Sequence, residues 1–337
     1  MLAADLHVHL DGSLRRSTLL ELAREQGVCP ESGDGESFVS GLPFTRGMTL
    51  VSCLARFDVT VGLLQSERVL RRVADELVRD CYLDGVRHVE IRMCPPLHTR
   101  AGLSPHEALE AVVEGIDAGA SACSPPGSGE LMSARVILSV LEGSTGRDAD
   151  ALVDLAMGYA GSGVAGVDLA GDEALFEAAV FERAFSRAGS AGLGVTVHAG
   201  EGADPTHVID AVTRLKADRI GHGVAAARDS EAIGLLAETG TVVECCISSN
   251  LHTGAIGALE EHPLPLFLDR GVRAVLATDN RFFSGTTLSR EYDLAAEHLG
   301  LGRESLSAMA VESARASFLP GEERRRLIDL VSESAGA

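Results

Sequence analysis

The sequence predicts an α/β fold, a (β/α)8 barrel of the TIM type with a helical excursion after its first strand. Two observations favour this architecture. Eight short aliphatic stretches alternate with helix-patterned segments, which is the order of elements in a parallel α/β protein. The 337 residues suffice for eight such units. Because no linker or internal repeat divides the chain, we expect a single domain over residues 1–337.

The predicted strands are rich in aliphatic and β-branched residues and end in polar turns. In chain order they are Asp5–His9, Val86–Arg92, Ala134–Val140, Gly163–Asp168, Gly194–His198, Arg219–Gly221, Val242–Cys246 and Val272–Thr278. Barrels of this type carry their active sites at the carboxyl ends of the strands. The sequence therefore predicts a functional site at that face.

The segments between the strands contain several recognisable elements. Apolar residues recur with helical spacing in Leu50–Leu64 and Glu67–Arg79, within the long segment between the first two strands. We expect this segment to form a helical cap. The Ser-, Pro- and Gly-rich piece Ser121–Gly129 predicts a surface loop, and Glu322–Val331 predicts a closing helix.

Composition excludes several classes of partner. The formal net charge of -20, from 29 basic and 49 acidic residues, argues against nucleic acid and anionic membranes, which both require basic surface. A neutral small molecule fits better, and nothing in the composition defines an oligomeric state. The seven cysteines lack CxxC spacing, as expected of reduced thiols. Since neither a signal peptide nor a membrane-spanning stretch is apparent, we expect a cytoplasmic protein.

Five polar side chains come at the carboxyl ends of four predicted strands. They are His7 and His9 on the first strand, His198 on the fifth, His222 after the sixth and Asp279 after the eighth. A lone His-x-His more often lies on an ordinary solvated strand. Five such groups at one face are harder to explain as core, because buried imidazoles and carboxylates need partners. Three imidazoles and one carboxylate suit a borderline cation such as Zn²⁺, with one position left for water.

A metal in such a site would lower the pKa of its bound water, and the reaction then needs an acid and a base nearby. His222 is a candidate for orienting the water or accepting its proton. Glu201, three residues beyond His198, is predicted to be the proton donor; the alternative is a carboxylate at a helix N-terminus. Lys216 is the only lysine and lies outside the middle strands, where binuclear hydrolases place a bridging lysine. We therefore expect one metal ion per chain.

The other histidines are interpreted as structural or surface residues. His88-Val89-Glu90 matches half of the cytidine-deaminase zinc signature, but the Pro-Cys-x-x-Cys half is missing. Six more fall in predicted loops or helices, where surface or capping roles are expected for most of them: His98, His106, His207, His252, His262 and His298.

Taken together, the motifs resemble those of the adenosine deaminase family of metal-dependent hydrolases. The matching segments are His7-Val8-His9-Leu10-Asp11-Gly12-Ser13, Val89-Glu90-Ile91-Arg92, Asp168-Leu169-Ala170-Gly171-Asp172-Glu173, His198-Ala199-Gly200-Glu201, Gly221-His222-Gly223, Ser248-Ser249-Asn250 with Thr253-Gly254, and Thr278-Asp279. The resemblance implies a (β/α)8 barrel with one zinc ion held by His7, His9, His198 and Asp279. It also implies hydrolytic removal of a 6-amino group from a purine nucleoside, adenosine or 2′-deoxyadenosine.

The same resemblance implies roles for further residues. Glu201 would protonate ring N1, His222 would handle the attacking water, and the backbone of Gly171 would contact the purine. Asp11 would accept a hydrogen bond from the ribose 5′-hydroxyl. Because a carboxylate at that point would repel a 5′-phosphate, free nucleosides are expected over nucleotides.

Two positions depart from the common family pattern. Asn280 stands where many members have a second aspartate; its amide NH₂ can donate to purine N7, and its carbonyl can accept from a modified base. Leu141-Glu142-Gly143 stands where many relatives have an Arg-His pair. The same chemistry on another 6-aminopurine derivative is therefore an alternative. A catalytically silent nucleoside-binding protein is disfavoured, because no ligand, acid or base is missing.

Overall fold

Eight parallel strands form one sheet in the order of the sequence. The computed structural model describes residues 1–29, 35–125, 127–129, 131–202 and 204–336. In these residues the strands are β1 Ala3–His9, β2 Val86–Met93, β3 Ser133–Leu141, β4 Val164–Ala170, β5 Gly194–Ala199, β6 Arg219–His222, β7 Val242–Cys245 and β8 Ala274–Leu276. Each pairs in parallel with the next. A parallel bridge between Val8 and Asp279 joins the last strand region to the first. The predicted barrel is confirmed.

Helices connect the strands and form the outer layer. They are α1 Arg16–Glu25, α2 Gly35–Ser40, α3 Leu50–Leu63, α4 Glu67–Leu83, α5 Pro105–Cys123, α6 Gly146–Gly158, α7 Ala178–Ser190, α8 Pro205–Thr213, α9 Ser230–Thr239, α10 Ile247–His252, α11 Leu264–Asp269, α12 Leu288–Leu299, α13 Arg303–Ala316 and α14 Gly321–Gly336. Short 3₁₀ helices cover Pro95–His98, Glu173–Leu175, Val224–Arg228 and Leu259–Glu261.

The predicted helices of the long first excursion are confirmed as α3 and α4, although α4 continues to Leu83. The predicted loop Ser121–Gly129 is wrong at its start, because residues 121–123 complete α5, and residue 126 lies outside the described residues. A capping box between Ser104 and Glu107 begins α5, with Pro105 in its first turn. The predicted closing helix lies within α14.

The barrel interior holds buried charged residues that pair across it. The guanidinium of Arg92 lies 2.6 Å from Glu244 and 3.2 Å from Asp168, while Arg219 pairs with Glu90 and Glu244. Charges removed from water must be paired in this way. The aliphatic strand residues form the core with the surrounding helices. Among the described helices, none combines the length and apolar character needed to cross a bilayer.

Candidate metal centre and catalytic site

The five polar side chains predicted at the strand ends lie together at the carboxyl end of the barrel. Ligand atoms of His7, His198, His222 and Asp279 all lie within 4.8 Å of one another. The Nε2 atom of His9 lies 3.1 Å from His198 Nε2 and 3.3 Å from both His7 Nε2 and Asp279 Oδ1. Because all eight strands are parallel, their carboxyl ends lie at the same end of the barrel, and residues far apart in sequence converge here.

Two of these histidines are oriented by buried carboxylates. His7 Nδ1 lies 2.9 Å from Glu244 Oε2, and His198 Nδ1 lies 3.1 Å from Asp168 Oδ1. An ionised carboxylate only accepts, so each Nδ1 carries the proton and each Nε2 presents its lone pair to the cluster. Glu244 remains ionised, since the guanidinium of Arg92 helps to hold its pKa well below the usual range against the effect of burial.

The donor set fits a divalent cation. The Nε2 atoms of His7 and His9 converge on the Asp279 carboxylate, and the 3.3–3.5 Å separations among these three residues are close to those of ligands about 2.0–2.1 Å from a tetrahedral zinc ion. Without a cation, these metal-ligand atoms would face one another with no partner for their lone pairs. Gly221 makes room for the set, because a Cβ there would lie 2.9 Å from His7 Cε1.

His222 differs from the other histidines in its hydrogen bonds. The Leu264 N–H donates to His262 Nδ1, His262 Nε2 lies 3.2 Å from Asn250 Oδ1, and Asn250 Nδ2 lies 3.0 Å from His222 Nδ1. Read in that direction, His222 accepts at Nδ1 and carries its proton on Nε2, which faces the cluster. Burial holds its pKa well below the usual value, so the ring is neutral. This tautomer suits a hydrogen-bond donor beside the metal.

Glu201 lies beside His222, with its Oε2 3.6 Å from His222 Nε2. Burial, reinforced by the negative charge of Asp279, raises the pKa of Glu201 to about 8. At neutral pH the carboxyl therefore carries a proton that it can donate. The alternative of a helix N-terminal carboxylate is wrong, because α8 begins only at Pro205.

A cavity of about 310 Å³ extends from the cluster and contains the predicted substrate-binding residues. Asp11, Gly171 and Asn280 line it, and Asn280 Oδ1 has no hydrogen-bond partner among the described residues. Gly12 lets the Asn280 side chain approach, since a Cβ there would lie 1.8 Å from its Oδ1. Leu50, Cys53, Leu54, Phe57 and Val61 from α3 also line the cavity, so the predicted helical cap contributes to the site.

Carboxyl groups dominate the polar lining of this cavity. They belong to Asp11, Asp58, Glu142, Asp172, Glu201 and Asp279, against the single guanidinium of Arg100 among the lining residues described. Burial raises the pKa of Asp11 to about 7. Glu142 is buried and neither of its oxygens has a partner in the described part of the chain. Burial and the nearby carboxylate of Glu173 raise the pKa of Glu142 to about 9.

The sequence interpretation was incomplete for several residues. It assigned no role to Glu244, Asn250 or His262, although Asn250 lies in a segment that carries the family resemblance. An acidic residue inside the apolar strand Val242–Cys245 was the available signal for Glu244. Surface or capping roles were expected for most of the six other histidines; His98 and His262 are both buried, and of these two His98 has a capping contact. His98 Nδ1 donates to the Leu64 carbonyl oxygen at 2.9 Å, which fixes the chain after α3.

Comparison with known proteins places these features in context. A family model described as adenosine deaminase matches residues 3–334. An adenosine deaminase of Shigella flexneri is 34% identical over 342 residues, which cover 97% of each chain. The solved structure of an adenine deaminase from Arthrobacter aurescens has a TM-score of 0.89 and 25% identity, and covers 99% of each chain. The structure of Arabidopsis ADAL complexed with IMP has a TM-score of 0.88 and 29% identity, and covers 99% of this chain and 97% of that one.

Proposed function

The chain belongs to the adenosine deaminase family, and from this premise we propose that it removes the 6-amino group of adenosine and 2′-deoxyadenosine by hydrolysis. The products are inosine or 2′-deoxyinosine and ammonia. The observation that carries the proposal is the convergence of a metal-ligand set, a neutral histidine and a protonated carboxyl at one end of the cavity.

One zinc ion per chain is proposed, with His7, His9, His198 and Asp279 as its ligands. A divalent metal bound there lowers the pKa of a water molecule and so supplies a nucleophile near neutral pH. Glu244 and Asp168 keep the Nε2 lone pairs of His7 and His198 directed at it, which is the usual role of carboxylates behind ligating histidines.

Glu201 and His222 supply the remaining groups. His222 donates from Nε2 to the attacking oxygen and so orients it toward C6. Glu201 gives its proton to ring N1 as the oxygen adds, which removes negative charge from the ring. The C6–N bond then breaks, and the departing amine takes up a proton and leaves as ammonia. Water supplies both protons that the products gain: one leaves with the amine as ammonia, and the other, lost by the oxygen now bonded to C6, restores the proton that Glu201 gave to N1.

Charge favours a nucleoside over a nucleotide. Asp11 and Asp172 line the cavity, and a 5′-phosphate would add its negative charge to that of their carboxylates. The Arabidopsis structure holds IMP, so the nucleotide is the alternative to test. Another 6-aminopurine derivative, treated by the same chemistry, is the second candidate, since Asn280 can both donate and accept.

A substrate panel tests the proposal. Purified protein is assayed for ammonia release with adenosine, 2′-deoxyadenosine, adenine and AMP, and elemental analysis counts the metal ions per chain. We expect one zinc ion, highest efficiency with the nucleosides, and loss of activity on chelation. A Glu201→Gln variant, which lacks the transferable proton, is the control with strongly reduced activity. Best turnover of AMP or adenine would contradict the nucleoside assignment, and turnover of none would contradict the function.

A further inference from the structure

Glu173 is a buried carboxylate for which the proposed reaction has no use. It begins the short helix Glu173–Leu175 that follows β4, and only 5% of it is exposed. Its Oε1 accepts hydrogen bonds from the Gly200 N–H at 2.5 Å and from His207 Nδ1 at 2.9 Å. Its Oε2 accepts from the Gly202 N–H. Both carboxylate oxygens therefore accept hydrogen bonds from one neighbouring segment, which runs from Gly200 to His207.

That segment contains the proposed proton donor. Gly200 and Gly202 are the residues on either side of Glu201, so Glu173 accepts from the N–H group of each neighbour without engaging the Glu201 side chain. A Cβ at Gly202 would lie 2.9 Å from Glu173 Oε2, so a side chain there would push the carboxylate out of its present position. The φ angle of Gly200 is +75°, which glycine adopts readily.

Glu201 lies outside regular structure, and besides Glu173 the Ala225 N–H holds this segment by donating to the Gly200 carbonyl oxygen at 2.8 Å. Glu201 comes after the end of β5 and before the start of α8, where neither a strand ladder nor a helix fixes its backbone. His207 belongs to α8, and its ring lies 4.7 Å from that of Phe176, so the carboxylate also ties the start of α8 to the chain after β4. The negative charge of Glu173 also contributes to the raised pKa of Glu201.

We propose that Glu173 is a positioning residue for deamination, which fixes the backbone of Glu201 so that its carboxyl meets ring N1. The proposal rests on the function proposed above. Small displacements of a catalytic group are costly, on the order of 10²-fold for about 1 Å. An acceptor that reaches both flanking N–H groups removes that freedom before substrate arrives.

The variant Glu173→Gln tests this role because it keeps the shape and removes one acceptor. The remaining oxygen can still accept from the N–H of one glycine, Gly200 or Gly202. The new NH₂ group cannot accept, so it leaves the other backbone N–H without its partner. We expect kcat to fall about 10- to 100-fold with adenosine, KM to change by less than about threefold, and metal content to stay unchanged. Glu177→Gln, on the same segment and exposed, is the matched control that should retain wild-type kcat.

A double-mutant cycle separates positioning from a general structural effect. In the Glu201→Gln background the residual rate no longer depends on the donor, so adding Glu173→Gln should change it by less than about twofold. Equal fold losses in both backgrounds would overturn the proposal, as would wild-type kcat in the single variant. If Glu173→Gln does not fold, Glu173→Asp, which keeps the charge but shortens the reach, is compared across the same two backgrounds with the same criteria. Absence of ammonia release by the wild-type protein would instead contradict the proposed function.

Discussion

At the scale of single residues, a chain of hydrogen bonds, here called the relay, determines which ring nitrogen of His222 carries the proton. The relay runs from His262 through Asn250 to His222. Asn250 donates to Nδ1, and His262 fixes the orientation of the Asn250 amide. The sequence indicated that His222 belongs to the site. Its tautomer, however, is set by Asn250 in α10 and by His262 just before α11, and reasoning from strand ends does not consider these residues.

Asn250→Asp should reverse this tautomer. An ionised carboxylate would accept from Nδ1, which would leave Nε2 without its proton, and misplacing this proton should lower kcat on the order of 10²-fold or more. Metal content should not change. His262→Gln, one step further along the relay, should cost less. Steady-state kinetics with elemental analysis checks both variants, and an unchanged kcat in Asn250→Asp would refute the role of the relay.

Asn280 is predicted to donate from its NH₂ group to purine N7, in place of the second aspartate common in the family. A carbon at position 7 leaves that donor unpaired at a cost of about 1–3 kcal/mol. The wild-type protein should therefore prefer adenosine to 7-deazaadenosine by kcat/KM, and Asn280→Ala should reduce the preference. Equal efficiencies in the wild-type protein would show that Asn280 does not contact N7.

Glu142 should make stability depend on pH. Its pKa is raised by burial from 4.5 to about 9, so between these values the folded state holds a proton that the unfolded state has released. This contribution is complete below pH 4.5 and declines by about 1.4 kcal/mol per pH unit as the pH rises toward 9. In Glu142→Gln this decline in the free energy of unfolding with rising pH should be absent.

Urea unfolding of both proteins at pH 6, 7 and 8 measures the difference directly. Glu177→Gln, which changes an exposed carboxylate, should follow the wild-type curve. Parallel curves for wild type and Glu142→Gln would contradict a buried neutral carboxyl at this position.

At the scale of elements, periodicity predicted the strands well because their aliphatic residues face the helical layer in every unit. The predicted Val272–Thr278 is longer than the observed β8, Ala274–Leu276, since pairing with β7 ends earlier than the apolar run. Strand-end reasoning also located His7, His9 and Asp279. Asn250 and Glu173 lie in segments that carry the family resemblance, but strand-end reasoning gave them no role, because their roles depend on contacts between loops and short helices far apart in sequence.

Gly221→Ala tests whether the His7 ring must lie as close as it does to the backbone of Gly221 in β6 for the candidate metal site to bind its ion. The added Cβ would lie 2.9 Å from His7 Cε1, so the imidazole must shift away from the other ligands. Metal content should fall while the barrel stays folded. Gly234→Ala in α9, where a Cβ meets open space, is the control and should raise stability by about 0.5–1 kcal/mol. Full metal occupancy in Gly221→Ala would contradict the steric argument.

At the scale of the whole molecule, the charge of -20 and the ionised carboxylates among the cavity lining act in the same direction, whereas Glu142 and Glu201 are protonated and do not contribute. Two like unit charges about 5 Å apart repel by about 3 kcal/mol at an effective dielectric constant of about 20, which corresponds to about 10²-fold in efficiency. AMP should therefore be a poorer substrate than adenosine by this order.

Salt distinguishes this explanation from a purely steric one. Raising the ionic strength shortens the Debye length, which is about 10 Å at 0.1 M, and so weakens the repulsion of AMP by the more exposed carboxylates. The kcat/KM for AMP should rise between about 0.02 and 0.2 M salt, while that for uncharged adenosine should stay constant. Asp11→Asn should further reduce the difference in kcat/KM between adenosine and AMP. If AMP is used as well as adenosine at both salt concentrations, the acidic lining does not select the substrate and the ribose site lies elsewhere in the cavity.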